Sequence, residues 1–254
     1  MTTQRSDLGL WYRGPLLAFD TESTGPAPET DRIVTAALVW IDPGQPVTTK
    51  HHLINPGVPI PEEAAAIHGI TTERVRVEGR EPKPSLDEIA HDLVGALSEG
   101  RPIVGMNCVF DLTILDRELR RHELATLEDR LGRPIAPVID ALVLDRYVVP
   151  RRRGRGARKL VALCEAWRVR MDGAHDACND ALAAARVVWQ IARRVPEIGR
   201  MPLPQLHGLQ ARAHAEHCAE LRAYFDRHGR AHDGVPGDWP LIPYRPEPTG
   251  VVNP

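Results

Sequence analysis

Leu16-Leu17-Ala18-Phe19 is a short apolar run that stops on Asp20, with Thr21 and Glu22 following and Thr24-Gly25-Pro26 closing the segment. A run this brief, bounded by turn residues, predicts a strand over 16–20 that is buried on both faces and turns acidic at its far end. Apolar and β-branched residues predict two further strands over 33–40 and 48–54, separated by the turn Asp42-Pro43-Gly44. The three strands read as a meander.

The period then changes to that of helices. Pro61 opens a short helix to 67, which Gly69 closes as a C-cap. Ser85 is the expected N-cap of a helix to about 98, with Leu86, Ile89, Leu93 and Leu97 on one face. A short strand over 103–106, a helix over 112–122 (Leu112, Leu115, Leu119), a strand over 138–140 and a helix over 141–148 alternate after it. Helices over 159–167 and 176–195 complete the series. Strands followed by strand-helix alternation predict an α/β domain with helices packed on a mixed sheet. Past residue 195 the chain carries nine prolines in 59 residues around one amphipathic helix, 205–228. The expected division is therefore 1–195 for the α/β domain and 196–254 for a proline-rich C-terminal extension.

Composition narrows the classes. With 43% apolar and 26% charged residues the chain has material for a sizeable core, which excludes disorder throughout. No apolar run approaches the roughly 18 to 20 residues of a membrane span, and MTTQRSDLG lacks the apolar core of a secretory signal, so a cytoplasmic protein without membrane partners is expected. Four cysteines without a C-x-x-C pair indicate neither a disulfide framework nor a zinc ribbon. The net charge of −2 gives no global attraction for a polyanion, which must be held locally. Three lysines against twenty-nine arginines read first as GC-rich codon usage and also suit phosphate binding.

Three acidic segments stand out. Period-two geometry places Asp20 and Glu22 on one face at the strand's C-terminal end, where ligands sit in open α/β sheets; they are equally read as turn residues before Gly25. Asn107-Cys108-Val109-Phe110-Asp111 follows the fourth strand, and its Asp also reads as a helix N-cap. His175-Asp176-Ala177-Cys178-Asn179-Asp180-Ala181 combines a loop histidine with a capped, alanine-rich helix start.

Together these segments resemble the DnaQ-like 3′-to-5′ exonucleases, the DEDDh branch of the ribonuclease H-like superfamily, and within it the DNA polymerase III epsilon-type proofreading exonucleases. Asp20, Glu22, Thr24 and Gly25 match the first motif, D-x-E-x-T-G. Asn107, Phe110 and Asp111 match the second, and His175, Ala177, Asp180 and Ala181 match the third, H-x-A-x-x-D-A. The likeness spans about residues 15–192; Met106 departs from it, standing where many members carry a polar residue or His. It implies a ribonuclease H-like five-stranded mixed sheet with strand 2 antiparallel, and metal-dependent hydrolysis of DNA from the 3′ end to nucleoside 5′-monophosphates. Asp20, Glu22, Asp111 and Asp180 would hold two ions, Mg²⁺ or Mn²⁺, which relieve the repulsion of converging carboxylates. His175 would be the general base.

Substrate contacts are implied at Thr21, Thr24, His68, Asn107 and Phe110. Phe110 reads equally as core, and His68 also suits the last turn of a helix through its dipole. Arg151, Arg152 and Arg153 open a basic, glycine-interrupted stretch that fits phosphate tracking or a solvated loop. The partners implied are single-stranded or frayed 3′ ends of DNA and a DNA polymerase or sliding clamp; Gln205-Leu206-His207-Gly208-Leu209 faintly resembles a clamp-binding peptide and equally a helix start. His207, His214, His217 and Cys218 lack a compact four-ligand pattern. The rival readings are an exoribonuclease with the same ligands and a catalytically idle accessory that binds nucleic-acid ends or a polymerase.

Overall fold

The computed structural model describes residues 9–171, 176–232 and 235–245. After a 3-10 turn at Trp11–Arg13, the strands are β1 (Leu16–Ser23), β2 (Ile33–Ile41), β3 (Thr48–Leu53), β4 (Ile103–Gly105) and β5 (Val138–Asp140). They form one sheet in the order β3-β2-β1-β4-β5, with β2 antiparallel to its neighbours and β4 and β5 parallel to β1. This is the expected five-stranded mixed sheet. β1 runs three residues past the predicted stop because β2 pairs it throughout, Asp20 opposite Ala37 and Glu22 opposite Thr35, until a register shift at Glu22/Ser23. Such an irregularity bends a strand and re-aims its side chains.

The helices are α1 (Glu62–His68), α2 (Thr72–Glu78), α3 (Pro82–Ser98), α4 (Cys108–Arg121), α5 (Leu127–Leu131), α6 (Ala141–Val148), α7 (Leu160–Trp167), α8 (Ala177–Arg194), α9 (Pro196–Gly199) and α10 (Leu203–Arg227). Alternation along β1 separates two cores. Leu17 and Phe19 pack with Leu86, Leu93, Leu112 and Leu115 of α3 and α4, whereas Leu16 and Ala18 pack with Ala181, Val187, Val188 and Ile191 of α8. Alanines let α8 lie close across β1, β2 and β4. Gly105 serves the same close packing, since a Cβ there would stand 2.9 Å from both the Phe19 carbonyl and Cys108 Sγ.

Helix starts differ from expectation at two places. α3 begins at Pro82, where a missing N–H costs nothing, and Ser85 lies inside it with its Oγ donating to the Glu81 carbonyl at 2.8 Å. α4 begins at Cys108, so Asp111 is inside its first turn and is not its cap. α2, α5 and α9 have seven, five and four residues, too few for a periodic signal, although Thr71 and Thr126 cap α2 and α5 through their hydroxyls.

β5 is an edge strand whose outward groups are met by α10. Val138 N–H donates to His207 Nδ1 (3.1 Å) and Asp140 N–H to Gln210 Oε1 (2.7 Å), while Gln210 Nε2 donates to the Val138 carbonyl (3.1 Å). Buried Asp140 also accepts the N–H groups of Asn107 (3.0 Å), Cys108 (2.8 Å), Leu142 (2.8 Å) and Val143 (3.3 Å). Among the described residues no helix is long and apolar enough to cross a membrane.

Removing the Asp140 carboxylate strands buried donors on two helices, and each unmet donor costs about 1 to 3 kcal/mol. Asp140→Ala is therefore expected to lose about 3 kcal/mol or more in urea unfolding, with Asp140→Asn less affected. A loss under about 1 kcal/mol would mean that water replaces the carboxylate.

Candidate active site

The alternation that divides the core also divides the acids. Asp20 and Glu22 share the β1 face that packs on α8, and there Asp180, one turn into α8, meets them: carboxylate oxygens of the three lie within 4.8 Å of one another. Thr21 projects to the other face, where its N–H (3.0 Å) and its Oγ1 (2.6 Å) both donate to Asp111 Oδ1 on α4. Asp111 thus reaches the same strand end from the opposite layer, held by the residue between the other two acids. Asp176 caps α8 by accepting the Asn179 N–H at 3.0 Å and so fixes the turn that presents Asp180. His175 lies outside the described residues.

Crowding leaves its mark on every one of these carboxyls that shifts. Burial, then the charges of Asp111, Glu22 and Asp180, hold the Asp20 carboxyl well above the usual carboxylate range. Burial pushes Glu22 up to about 7, with Asp180 and Asp176 adding to it. Asp111 is also pushed to about 7 by burial, against the two hydrogen bonds from Thr21, which favour its charged form. An all-oxygen donor set under this repulsion fits a hard divalent cation.

A cleft of about 740 Å³ adjoins the acids, and Thr21, Glu22, Thr24, His68, Asn107 and Phe110 line it. The structure therefore brings together the expected substrate contacts of the first two motifs and of α1. Asn107 adopts a left-handed conformation (φ 66°), which asparagine tolerates, and Asp140 holds its N–H there. Phe110 fits both of its readings, packing on the α3–α4 core and lining the cleft. His68 ends α1 before Gly69 and accepts the Ile70 N–H on Nδ1 at 3.2 Å.

Asp31 shapes the same cleft and carried no signal in the sequence. It accepts from Thr24 Oγ1 (2.8 Å) and the Ala27 N–H (2.8 Å), closing the loop after β1. A Cβ on Gly25 would stand 2.6 Å from its carboxylate, so a larger residue there would have to displace the Asp31 side chain from these bonds.

Arg151, Arg152 and Arg153 do not line this cleft. Arg152 donates from Nε (2.9 Å) and Nη2 (2.8 Å) to buried Asp145, which ties the loop between α6 and α7 to the fold; Arg151 and Arg153 are exposed. The C-terminal histidines have separate tasks: His207 meets the β5 edge, buried His214 contacts Cys218 at 3.4 Å, and His217 borders a different cavity. The only cluster with metal-ligand spacing among the described residues is Asp20, Glu22 and Asp180.

Comparison with known proteins gives the same picture. The family model described as Exonuclease matches residues 17–188. The DNA polymerase III subunit epsilon of Rickettsia conorii is 32% identical over 183 residues, covering 69% of this chain and 72% of that protein. A PolC-type DNA polymerase III of Lacticaseibacillus paracasei is 28% identical over 192 residues, 75% of this chain; the chain spans 12% of that much longer protein. E. coli exonuclease I in complex with a dT13 oligonucleotide shares the fold with a TM-score of 0.60 at 21% identity, covering 73% of this chain and 42% of that one.

The raised carboxyls fix the sign of a pH effect. Between the ordinary values of 4.5 and 3.8 and the raised values of about 7, Glu22 and Asp111 keep protons in the folded chain that the unfolded chain has released. The contribution of this pair to stability therefore falls as pH rises through that window. Glu22→Gln is expected to raise the melting temperature of EDTA-treated protein at about pH 8 and to change it little at about pH 5, and Mg²⁺ or Mn²⁺ should raise it more at the higher pH. A cation increment that does not grow with pH would show that the carboxyls are not crowded.

Proposed function

The chain belongs to the exonuclease family, and on that premise we propose that it is a divalent-cation-dependent 3′-to-5′ exonuclease that shortens DNA from single-stranded or frayed 3′ ends, releasing nucleoside 5′-monophosphates. The observation that carries this reading is the Asp20–Glu22–Asp180 oxygen cluster at the mouth of a strand-end cleft, with Asp111 tethered beside it. We assign catalysis to residues 1–195 and treat 196–254 as the extension.

Two cations, Mg²⁺ or Mn²⁺, when bound, supply charge neutralisation, polarisation of the scissile phosphodiester and a more acidic water. Asp20, Glu22, Asp180 and Asp111 would hold them, and Asp20, whose carboxyl feels the charge of the other three, lies at the centre of the group. Thr21 orients Asp111 through its hydroxyl, a supporting contact of the kind that tunes ligand basicity. His175, five residues before Asp180, takes the proton from the attacking water. Phe110 offers a ring for the terminal base, and Thr24, His68 and Asn107 position the terminal nucleotide. Arg151 and Arg153, exposed on the loop after α6, are assigned to backbone phosphates, whereas Arg152 supports that loop through Asp145.

Association with a polymerase is proposed on the likeness to the Rickettsia epsilon subunit. Docking on a sliding clamp through 205–209 would require Leu206 and Leu209, both buried, to leave the core.

The test is hydrolysis of 5′-labelled single-stranded DNA, mismatched-primer DNA and RNA of matched sequence with Mg²⁺ or Mn²⁺. A ladder shortening from the 3′ end of DNA is expected, abolished by EDTA; faster shortening of RNA would overturn the substrate assignment, and activity in EDTA the metal dependence. Asp20→Ala, Glu22→Ala, Asp111→Ala and Asp180→Ala are each expected to lower turnover about a hundredfold or more.

His175→Ala should lower turnover by about 10²- to 10⁴-fold while cation-dependent DNA binding persists. Loss of cation binding in His175→Ala would make that residue a ligand and not the base.

A further inference from the structure

A second cavity, of about 380 Å³, opens between the α6–α7 loop and α10, with Arg146, Arg152, Arg153, Arg158 and His217 on its walls. Two of the four guanidiniums have partners inside the fold. Arg152 and Arg158 both bond the Asp145 carboxylate, Arg158 through Nε at 3.1 Å, and Arg158 also donates to the Arg152 (2.9 Å) and Val149 (2.7 Å) carbonyls. Trp167 Nε1 donates to the same carboxylate at 2.8 Å. One buried anion under two cations leaves a positive charge over.

Arg146 and Arg153 are different: neither makes a hydrogen bond or ion pair with any described residue. Arg153 is exposed. Arg146 is half-buried, and burial lowers its guanidinium's affinity for its proton; the charges of Asp140 and Asp145 oppose that shift and Arg158 adds to it. A guanidinium stays charged regardless, and this one feels Asp140 and Asp145 without a direct hydrogen bond to either, so its N–H donors remain open to an oxyanion from the cavity. Glu216 and Glu220 stand exposed on the α10 side of the cavity.

The position connects this cavity to the carboxylate cleft. Arg146 lies six residues past Asp140, about 9 Å along α6 at about 1.5 Å per residue. Asp140 in turn holds Asn107, which lines the cleft. A strand advances about 3.4 Å per nucleotide, so one that reaches Arg146 must run at least about three nucleotides beyond the level of Asp140. We propose that Arg146 and Arg153, framed by Arg158, hold one backbone phosphate of the substrate strand upstream of its 3′ terminus. The assignment rests on the exonuclease reading and adds to it a measure of strand length.

The test is binding of 5′-fluorescent single-stranded DNA of four and fifteen nucleotides, each with a hydrolysis-resistant phosphorothioate at the 3′-terminal linkage, across a range of salt. Arg146→Gln is expected to weaken the 15-mer roughly tenfold and the tetramer much less, and to flatten the salt dependence of 15-mer binding by about 0.7 log units. Arg153→Gln, at an exposed position that does not endanger the fold, should move the length ratio in the same direction, and the distant surface control Lys83→Gln should not move it. Equal losses on both lengths, or none, would overturn the site. Competition by millimolar inorganic phosphate that Arg146→Gln abolishes, with no change in the length ratio, would show a site for free phosphate and would also overturn the assignment to the strand. Wild-type protein that fails to hydrolyse an all-phosphodiester 15-mer overturns the exonuclease reading; hydrolysis with an unmoved length ratio overturns this site alone.

Discussion

The buried carboxylate of Asp140 sets the geometry from which the cleft follows. It collects backbone N–H groups from the first residues of α4 and of α6, while its own N–H is taken by Gln210 of α10. An anion is favoured where helix N-termini converge, because their N–H groups are unmet and their dipoles point positive ends at it. By fixing Asn107 in its left-handed turn, that anion decides where α4 starts and hence that Asp111 falls one turn in, beside β1. The clustered acids depend on a carboxylate that is not one of them.

Strand geometry does the rest. Three consecutive residues of β1 serve two layers: Asp20 and Glu22 look toward α8 and Asp180, and Thr21 looks toward α4 and Asp111. A one-residue slip of β1 against β2 would exchange the faces and scatter the acids. The extended pairing through Glu22 keeps the register, and the shift immediately after it lets the chain leave the sheet at the cleft.

The strands were legible in the sequence because they follow from short-range rules, whereas the gathering of the four acids into one site was implied by the family resemblance. The apolar run ending at Asp20 marked a central strand, and period two put Asp20 with Glu22. The place of Asp111 inside α4 was not legible: it depends on Asp140, twenty-nine residues later, reaching back to Asn107. Arg152 read as one of three equivalent surface arginines, yet its partner is Asp145, and nothing local distinguishes it from Arg151 or Arg153. Short helices such as α2 and α5 escaped because their hydroxyl caps are single residues and five to seven residues leave no periodic face. Ser85 misled for the opposite reason, a good cap residue preceded by a proline that had already started the helix.

The side chains of His207 and Gln210 stand where a sixth strand would, meeting two N–H groups and one carbonyl of β5. An edge strand left open is a template for pairing with another chain. The proline-rich segment thereby acts as an internal chaperone of the sheet: a chain shortened before α10 would expose a ready seam for self-association.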